Sequence, residues 1–313
     1  MCRQKQKKHE RDQTEAMGNE TEMSKYLNKI LKNKAKKDIG TLKKSNGEYT
    51  TPGLDTLKEL ANKHYPTHTG KKDTVYPETS ITKAELSQRY TDWINVEKIT
   101  AAFKGFESKK SPGPDGIKPI TLKHLSISMI KSIETIYKAS IALHFTPTKW
   151  KSSKVVYIPK VGKDDYAIAK SYRPISLMNY LLKGLERLSV WVADTALEDH
   201  PLHIKQHGFQ KGKNTESAIS NTVHQIEKYI HKGEHCVGVF LDIQAAFDSI
   251  TPEHIKNALL KHGCHPDMVD WYYELLTHRN LVTTYEDFVL EVTTNMGFPQ
   301  NSGLLHLTKL QKS

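Results

Sequence analysis

Val237-Gly238-Val239-Phe240-Leu241-Asp242-Ile243-Gln244-Ala245-Ala246-Phe247-Asp248-Ser249-Ile250 joins an apolar, β-branched run to a carboxylate and then to an aromatic. Ladder hydrogen bonds fix a strand, so a carboxylate at its end is pre-positioned at the rim of a sheet, where it can hold a divalent cation. The stretch predicts a strand over 237–242, closed by Asp242, with the chain turning before Phe247. An aspartate at a strand end serves equally as an N-cap or an ion-pair partner, and on this stretch alone the two readings are level.

The flanks set the fold class. Downstream, Thr251 as N-cap, Pro252 at the first helical position and Gly263 just past the end predict a helix. Another helix carries Met268, Val269, Trp271, Tyr272, Leu275 and Leu276, and the runs 281–285 and 288–292 read as a hairpin. Upstream, helical spacing runs through Ala218, Val223, Ile226 and Tyr229, through Leu181, Leu182, Leu185, Leu188, Trp191 and Val192, and through Leu122, Leu125, Met129, Ile133 and Ile136. It recurs at Val96, Ile99, Ala102, Phe103 and Phe106, and in a short helix over 54–65. Lys154 to Ile158 reads as a strand, followed by Pro159-Lys160 and a loop that leads to Ser171. Many helices between few strands imply an α/β or α+β fold and not a doubly wound sheet.

Of the 313 residues, 46 are Lys or Arg and 35 are Asp or Glu, giving a formal charge of +11. That surplus favours a polyanionic partner, nucleic acid foremost. No apolar run reaches the roughly 18 residues of a membrane span, and the charged start Met1 to Glu10 lacks the apolar stretch of a secretory signal. Cys2, Cys236 and Cys264 stand far apart, which argues against a disulfide framework and suits an intracellular setting. Residues 1–70 are read as a basic, largely flexible linker.

Three loops invite specific chemistry. Ser111-Pro112-Gly113-Pro114-Asp115-Gly116, behind Lys109 and Lys110, is a rigid turn with exposed amides that suits a phosphate contact or is simply a tight turn. Gly208 to Thr215 fails as a phosphate-binding P-loop, because Lys213 is followed by Asn214, the glycine spacing is one short and a helical region precedes it. His262-Gly263-Cys264-His265 has no second ligand pair at zinc spacing and reads as a surface loop.

Taken in order over residues 108–300, Ser111–Gly116, Ser171-Tyr172-Arg173-Pro174-Ile175-Ser176-Leu177, Leu181-Leu182-Lys183-Gly184-Leu185-Glu186-Arg187-Leu188, Gln206-His207-Gly208-Phe209-Gln210-Lys211-Gly212, Phe240–Asp248 and Gly297-Phe298-Pro299-Gln300 resemble the reverse transcriptase of non-LTR (LINE-type) retrotransposons, of the insect Jockey-like kind. The resemblance implies a partial right-hand polymerase, with a helical amino-terminal extension over 71–150, fingers over 151–235 and an incomplete palm over 236–313. It implies that Asp242 is the first metal-binding carboxylate, with the Ile243 carbonyl as a further ligand to magnesium (manganese being the alternative ion). Phe247 would be the gate against a ribose 2′-hydroxyl. Lys160 and Arg173 would grip the triphosphate of the incoming deoxynucleotide, and Gln300 would contact nucleotide and template. Lys109, Lys110, Lys211 and Lys213 would face nucleic acid. The partners implied are an RNA template, a DNA primer and deoxynucleoside triphosphates, in nucleus and cytoplasm, with no membrane; the oligomeric state is left open.

The family also needs two adjacent aspartates on a later hairpin. In these 313 residues the adjacent aspartates are Asp164-Asp165, in a polar loop that reads as solvent-facing, and Asn301 stands where the last motif expects glycine. One carboxylate cannot hold and balance two divalent ions. The expectation is therefore a truncated RNA-directed DNA polymerase, inactive alone; the alternative is a non-catalytic RNA-binding remnant.

Overall fold

The structure, a computed structural model, describes residues 39–65, 81–199, 203–208, 210, 212–241, 250–277, 279–285 and 287–295. The elements in chain order are α1 (Leu54–His64), α2 (Lys83–Gln88), α3 (Val96–Lys104), α4 (Pro119–Lys123), α5 (Ile127–Ala142), α6 (Thr148–Lys151), β1 (Ser152–Pro159), a 3-10 turn (Ala169–Ser171), β2 (Tyr172–Leu177), α7 (Tyr180–Asp199), α8 (Thr215–His231), α9 (Pro252–Lys261), α10 (Pro266–Leu276), β3 (Arg279–Tyr285) and β4 (Phe288–Thr294). Among the described residues one sheet holds the strands in the order β2-β1-β3-β4, antiparallel except for the parallel β1–β3 pair. This is a mixed α+β arrangement, as expected.

β2 was absent from the expected strands. Its sequence contains Pro174, which cannot donate to a ladder, and the structure accommodates it by placing β2 at the edge of the sheet, with Pro174 opposite Tyr157. Alternation along β1 puts Ser153, Val155 and Tyr157 on a buried face and Lys154, Val156 and Ile158 on an open one.

The buried face is covered by a part of the chain expected to be linker. Within the span 1–70, residues 39–65 are packed: Leu42, Leu57 and Leu60 are fully buried, and Leu42 and Leu60 join Val155, Tyr157, Ala169, Tyr172 and Leu281 in one cluster. The linker expectation is corrected there, because the apolar stripe Leu57-Leu60-Ala61-His64 of α1 finds the sheet.

A second core is built from helices α3, α5, α7, α9 and α10. Gly184, inside α7, allows the closest approach: a Cβ there would lie 2.6 Å from both a Phe103 ring carbon and the Tyr137 hydroxyl. Arg187, one turn on, donates to the Ala102 carbonyl at 2.6 Å and lies 4.2 Å above the Phe106 ring. Trp271 is fully buried and donates from Nε1 to Ser140 Oγ at 2.9 Å.

Where the structure departs from the apolar patterning, the reasons are tertiary. The stripe Leu122 to Ile136 is broken into α4 and α5, and α5 buries Ile130, Tyr137 and Ile141 while Met129 and Ile136 face solvent. The helix α8 forms with Asn214 as its N-cap, yet Ile219, Val223, Ile226 and Ile230 remain exposed. No strand forms over 237–241; Val237 is 87% and Phe240 is 91% exposed. A strand needs a neighbour for its ladder, and the four-stranded sheet leaves this segment unpaired. The loop after α9 is not a surface loop throughout: His262 and Cys264 are buried where the helix ends.

Among the described residues, two other than glycine adopt left-handed backbone, Tyr90 (φ 57) and His144 (φ 46), and both serve one carboxylate. Tyr90 donates its hydroxyl to Asp267 Oδ2, His144 Nε2 lies 3.3 Å from Oδ1, and Arg89 is 3.6 Å away. Burial pushes the Asp267 carboxyl up, but the hydrogen bonds of Tyr90 and His144 and the charges of His265 and Arg89 outweigh it and hold it below its ordinary value. A carboxyl depressed in the folded state stabilises the fold above its ordinary pKa, and that contribution is lost as pH falls through the folded value. Urea midpoints should therefore drop below about pH 4 in the unaltered chain, and Asp267→Asn should be less stable at neutral pH with a flatter acid limb. A parallel acid limb in Asp267→Asn would refute the assignment.

Candidate nucleotide-binding site

The site grows from the hairpin β1–β2. Ile158 pairs with Arg173 and Pro159 with Tyr172, so Lys160, one step past β1, and Arg173, one step into β2, stand at the same end of the sheet. Arg173 projects on the open face beside Ile158, which is 49% exposed. Lys163 and Lys170 are exposed in the connecting loop, and so are Asp164 and Asp165. The expectation that this aspartate pair faces solvent therefore holds, and Asp165 Oδ1 accepts from Ala167 N at 2.7 Å as a local turn bond.

The loop from 160 to 171 is tied to itself. Lys160 N donates to the Ser171 carbonyl at 2.8 Å, Lys160 Nζ donates to the Lys170 carbonyl at 2.7 Å, and the Tyr166 hydroxyl donates to the Lys160 carbonyl at 2.8 Å. The Ser171 hydroxyl donates to the Asp165 carbonyl at 2.6 Å. Beneath the loop sits His64, buried, with Nε2 3.1 Å from the Ala169 carbonyl. Burial, more than the charges of Lys160 and Lys63, pushes its pKa down, while the Ala169 bond opposes the shift. Two cations fixed on one hairpin end, one of them a guanidinium that can bind two oxygens at once, can clamp a polyphosphate.

Other expected contacts fall elsewhere. Lys109 and Lys110 are exposed, and Lys110 pairs with Glu107 at 2.9 Å, which raises its pKa. Their turn is docked at the opposite end of β2 from Arg173: a Cβ on Gly113 would lie 2.4 Å from Asn179 Oδ1 and 2.7 Å from the Met178 carbonyl carbon. Asn179 is buried and also donates to the Lys149 carbonyl at 2.9 Å. From Arg173 to Leu177 the strand rise alone is about 13 Å, so the two lysine groups do not share one site. Lys213 donates to the carbonyls of Ile204 and Gln206 at 2.5 and 2.9 Å, fastening the loop before α8. Asp242, Ile243, Phe247, Gln300 and Lys211 lie outside the described residues. Among the described residues no group of three or more His, Cys, Asp or Glu side chains could hold a metal ion, and no helix is long and apolar enough to cross a membrane.

Sequence reading missed His64 and Asn179. His64 was nonetheless visible as the last member of the α1 stripe; Asn179, a polar residue after a strand, carried no periodic signal.

Comparison with known proteins supports the resemblance to reverse transcriptases. Residues 158–305 match the family described as reverse transcriptase (RNA-dependent DNA polymerase). The chain is 32% identical over 217 residues to the probable RNA-directed DNA polymerase from transposon BS of Drosophila melanogaster, covering 67% of this chain and 23% of that protein. It is 35% identical over 149 residues to the corresponding polymerase of the X-element of the same species, covering 46% of this chain and 16% of that protein. With the RNA-directed DNA polymerase from mobile element jockey it shares 29% identity over 158 residues, half of this chain and 17% of that protein. The chain thus spans about a quarter or less of the length of these relatives. The matched stretch contains Arg173, Asp242 and Phe247, and this part of the chain is a reverse transcriptase region of the non-LTR retrotransposon kind.

Proposed function

We propose that this chain supplies the nucleotide-gripping side of an RNA-directed DNA polymerase, with fingers over 151–235 and part of a palm over 236–313. The observation that carries the reading is the placement of Lys160 and Arg173 at one end of the β1–β2 hairpin. In use, Lys160 leaves the Lys170 carbonyl for a phosphate oxygen, and Arg173 binds the triphosphate from the neighbouring strand. The family is divalent-metal dependent; magnesium at Asp242 and the Ile243 carbonyl, with manganese as substitute, would supply charge neutralisation for phosphoryl transfer. Phe247 excludes a ribose 2′-hydroxyl and Gln300 meets the nucleotide and template. Lys109 and Lys110 face nucleic acid at a separate place.

A two-metal site needs further carboxylates beside Asp242, and the adjacent aspartates of these 313 residues, Asp164-Asp165, are exposed in a loop. Primer extension on an RNA template with magnesium should stay at background for the 313 residues alone. Robust synthesis abolished by Asp242→Ala would overturn that statement. RNA retention on filters that falls steeply with salt, with no deoxynucleotide binding at all, would instead favour a purely RNA-binding role.

A further inference from the structure

We infer that residues 39–65, which precede the stretch matched to the family, position the loop that carries Lys160, with His64 as the latch; the inference rests on the assignment of Lys160 and Arg173 to the triphosphate. The segment behaves as a brace across the buried face of the sheet. At one end, Gly53 (φ 95) lies under Phe288 of β4, where any Cβ would sit 2.6 Å from a ring carbon. At the other end, two hydrogen bonds reach the loop: Lys43 N donates to the Ala167 carbonyl at 2.7 Å, and His64 Nε2 lies 3.1 Å from the Ala169 carbonyl. Leu42 and Leu60 pack with Ala169 and Tyr172 between these points. The Thr50 hydroxyl accepts from Leu42 N at 2.8 Å and holds the segment's own bend.

The route from His64 to the cation is short. Ala169 opens the 3-10 turn whose last residue, Ser171, accepts from Lys160 N at 2.8 Å and donates its own N–H to the Ile168 carbonyl at 2.9 Å. Arg173 follows Ser171 by two residues along the same backbone. A carbonyl can only accept, so His64 must donate its Nε2 hydrogen; the ring is buried, tilted at 36° to the Tyr157 ring with centroids 6.0 Å apart. Loss of that donor leaves the Ala169 carbonyl with the Tyr172 N–H alone and loosens the turn that sets the spacing of Lys160 and Arg173. His64 is thus a positioning residue: it touches no substrate and acts through the loop.

The test uses the 313-residue chain. His64→Leu removes the donor, His64→Gln keeps an amide donor of similar reach, and Lys43→Pro removes the other tether at an exposed position and stands in should His64→Leu fail to fold. Amide hydrogen exchange at Lys160 and Ser171 should quicken about tenfold in His64→Leu and in Lys43→Pro, with α5 and α10 unchanged. Binding of magnesium–dTTP by equilibrium dialysis should weaken several-fold in the same two variants, and His64→Gln should restore both readouts. Unchanged exchange in both tether variants would overturn the latch. Faster exchange with undiminished dTTP binding, while Arg173→Ala weakens binding, would show the brace to be structural only and overturn the positioning role. No dTTP binding by the unaltered chain would defeat the triphosphate assignment itself, and the inference with it.

Discussion

Replacing Glu274 by leucine is expected to cost about 3–5 kcal/mol of folding stability. Glu274 is 4% exposed in the last turn of α10. One carboxylate oxygen binds Lys151 Nζ and the other accepts from Thr146 N at 3.0 Å. Lys151, its side chain 8% exposed, donates a further bond to the Thr277 carbonyl at 3.4 Å. The pair therefore ties the end of α10 to α6 and the loop before it, the point at which the helical core meets β1. Removing the carboxylate alone leaves the Lys151 ammonium with only the 3.4 Å bond to the Thr277 carbonyl and takes the carboxylate from the Thr146 amide, in a place that admits little water. Removing both charges, as Lys151→Met with Glu274→Leu, should cost far less than the two single changes summed, since no uncompensated charge is left. Urea unfolding of the four proteins measures this, and additive single-variant losses would refute the coupling.

Arg173→Ala is expected to weaken magnesium–dTTP binding by about 30- to 100-fold, the loss of a charge-assisted bidentate contact. Its unfolding midpoint should barely move, because Arg173 is exposed on an edge strand. Arg173→Lys should recover only part of the affinity: lysine keeps the charge and loses the planar fork. Lys160→Ala should cost about tenfold, less than Arg173→Ala, because Lys160 must first leave the Lys170 carbonyl. Equilibrium dialysis reads these differences, and Arg173→Ala binding as tightly as the unaltered chain would remove Arg173 from the site.

Much of this arrangement was legible in the chain. The helices at 54–64, 96–104, 180–199, 252–261 and 266–276 follow their apolar periods and caps, with Thr251, Pro252 and Gly263 placed as helix punctuation requires. Lys160 and Arg173 were named from motif order, and pairing of β1 with β2 then brought them to one end of the sheet. Patterning failed where burial depends on a partner. Val237 to Leu241 has the composition of a strand and lies exposed without one; α8 has an apolar stripe and no described neighbour to cover it; β2 was hidden by Pro174 until the edge of the sheet made that proline harmless.

By itself the sequence determined the family resemblance and the apolar faces and caps of several helices, and it named Lys160 and Arg173 as candidates, because these rest on local propensity and on residues in a given order. Tertiary structure alone decided that residues 39–65 are a packed brace and not a tether, that Gly113 and Gly184 are sites of close approach, and that His64 reaches Ala169 across 105 residues of chain. Those outcomes depend on which surfaces meet, and no local period records a contact between segments so far apart.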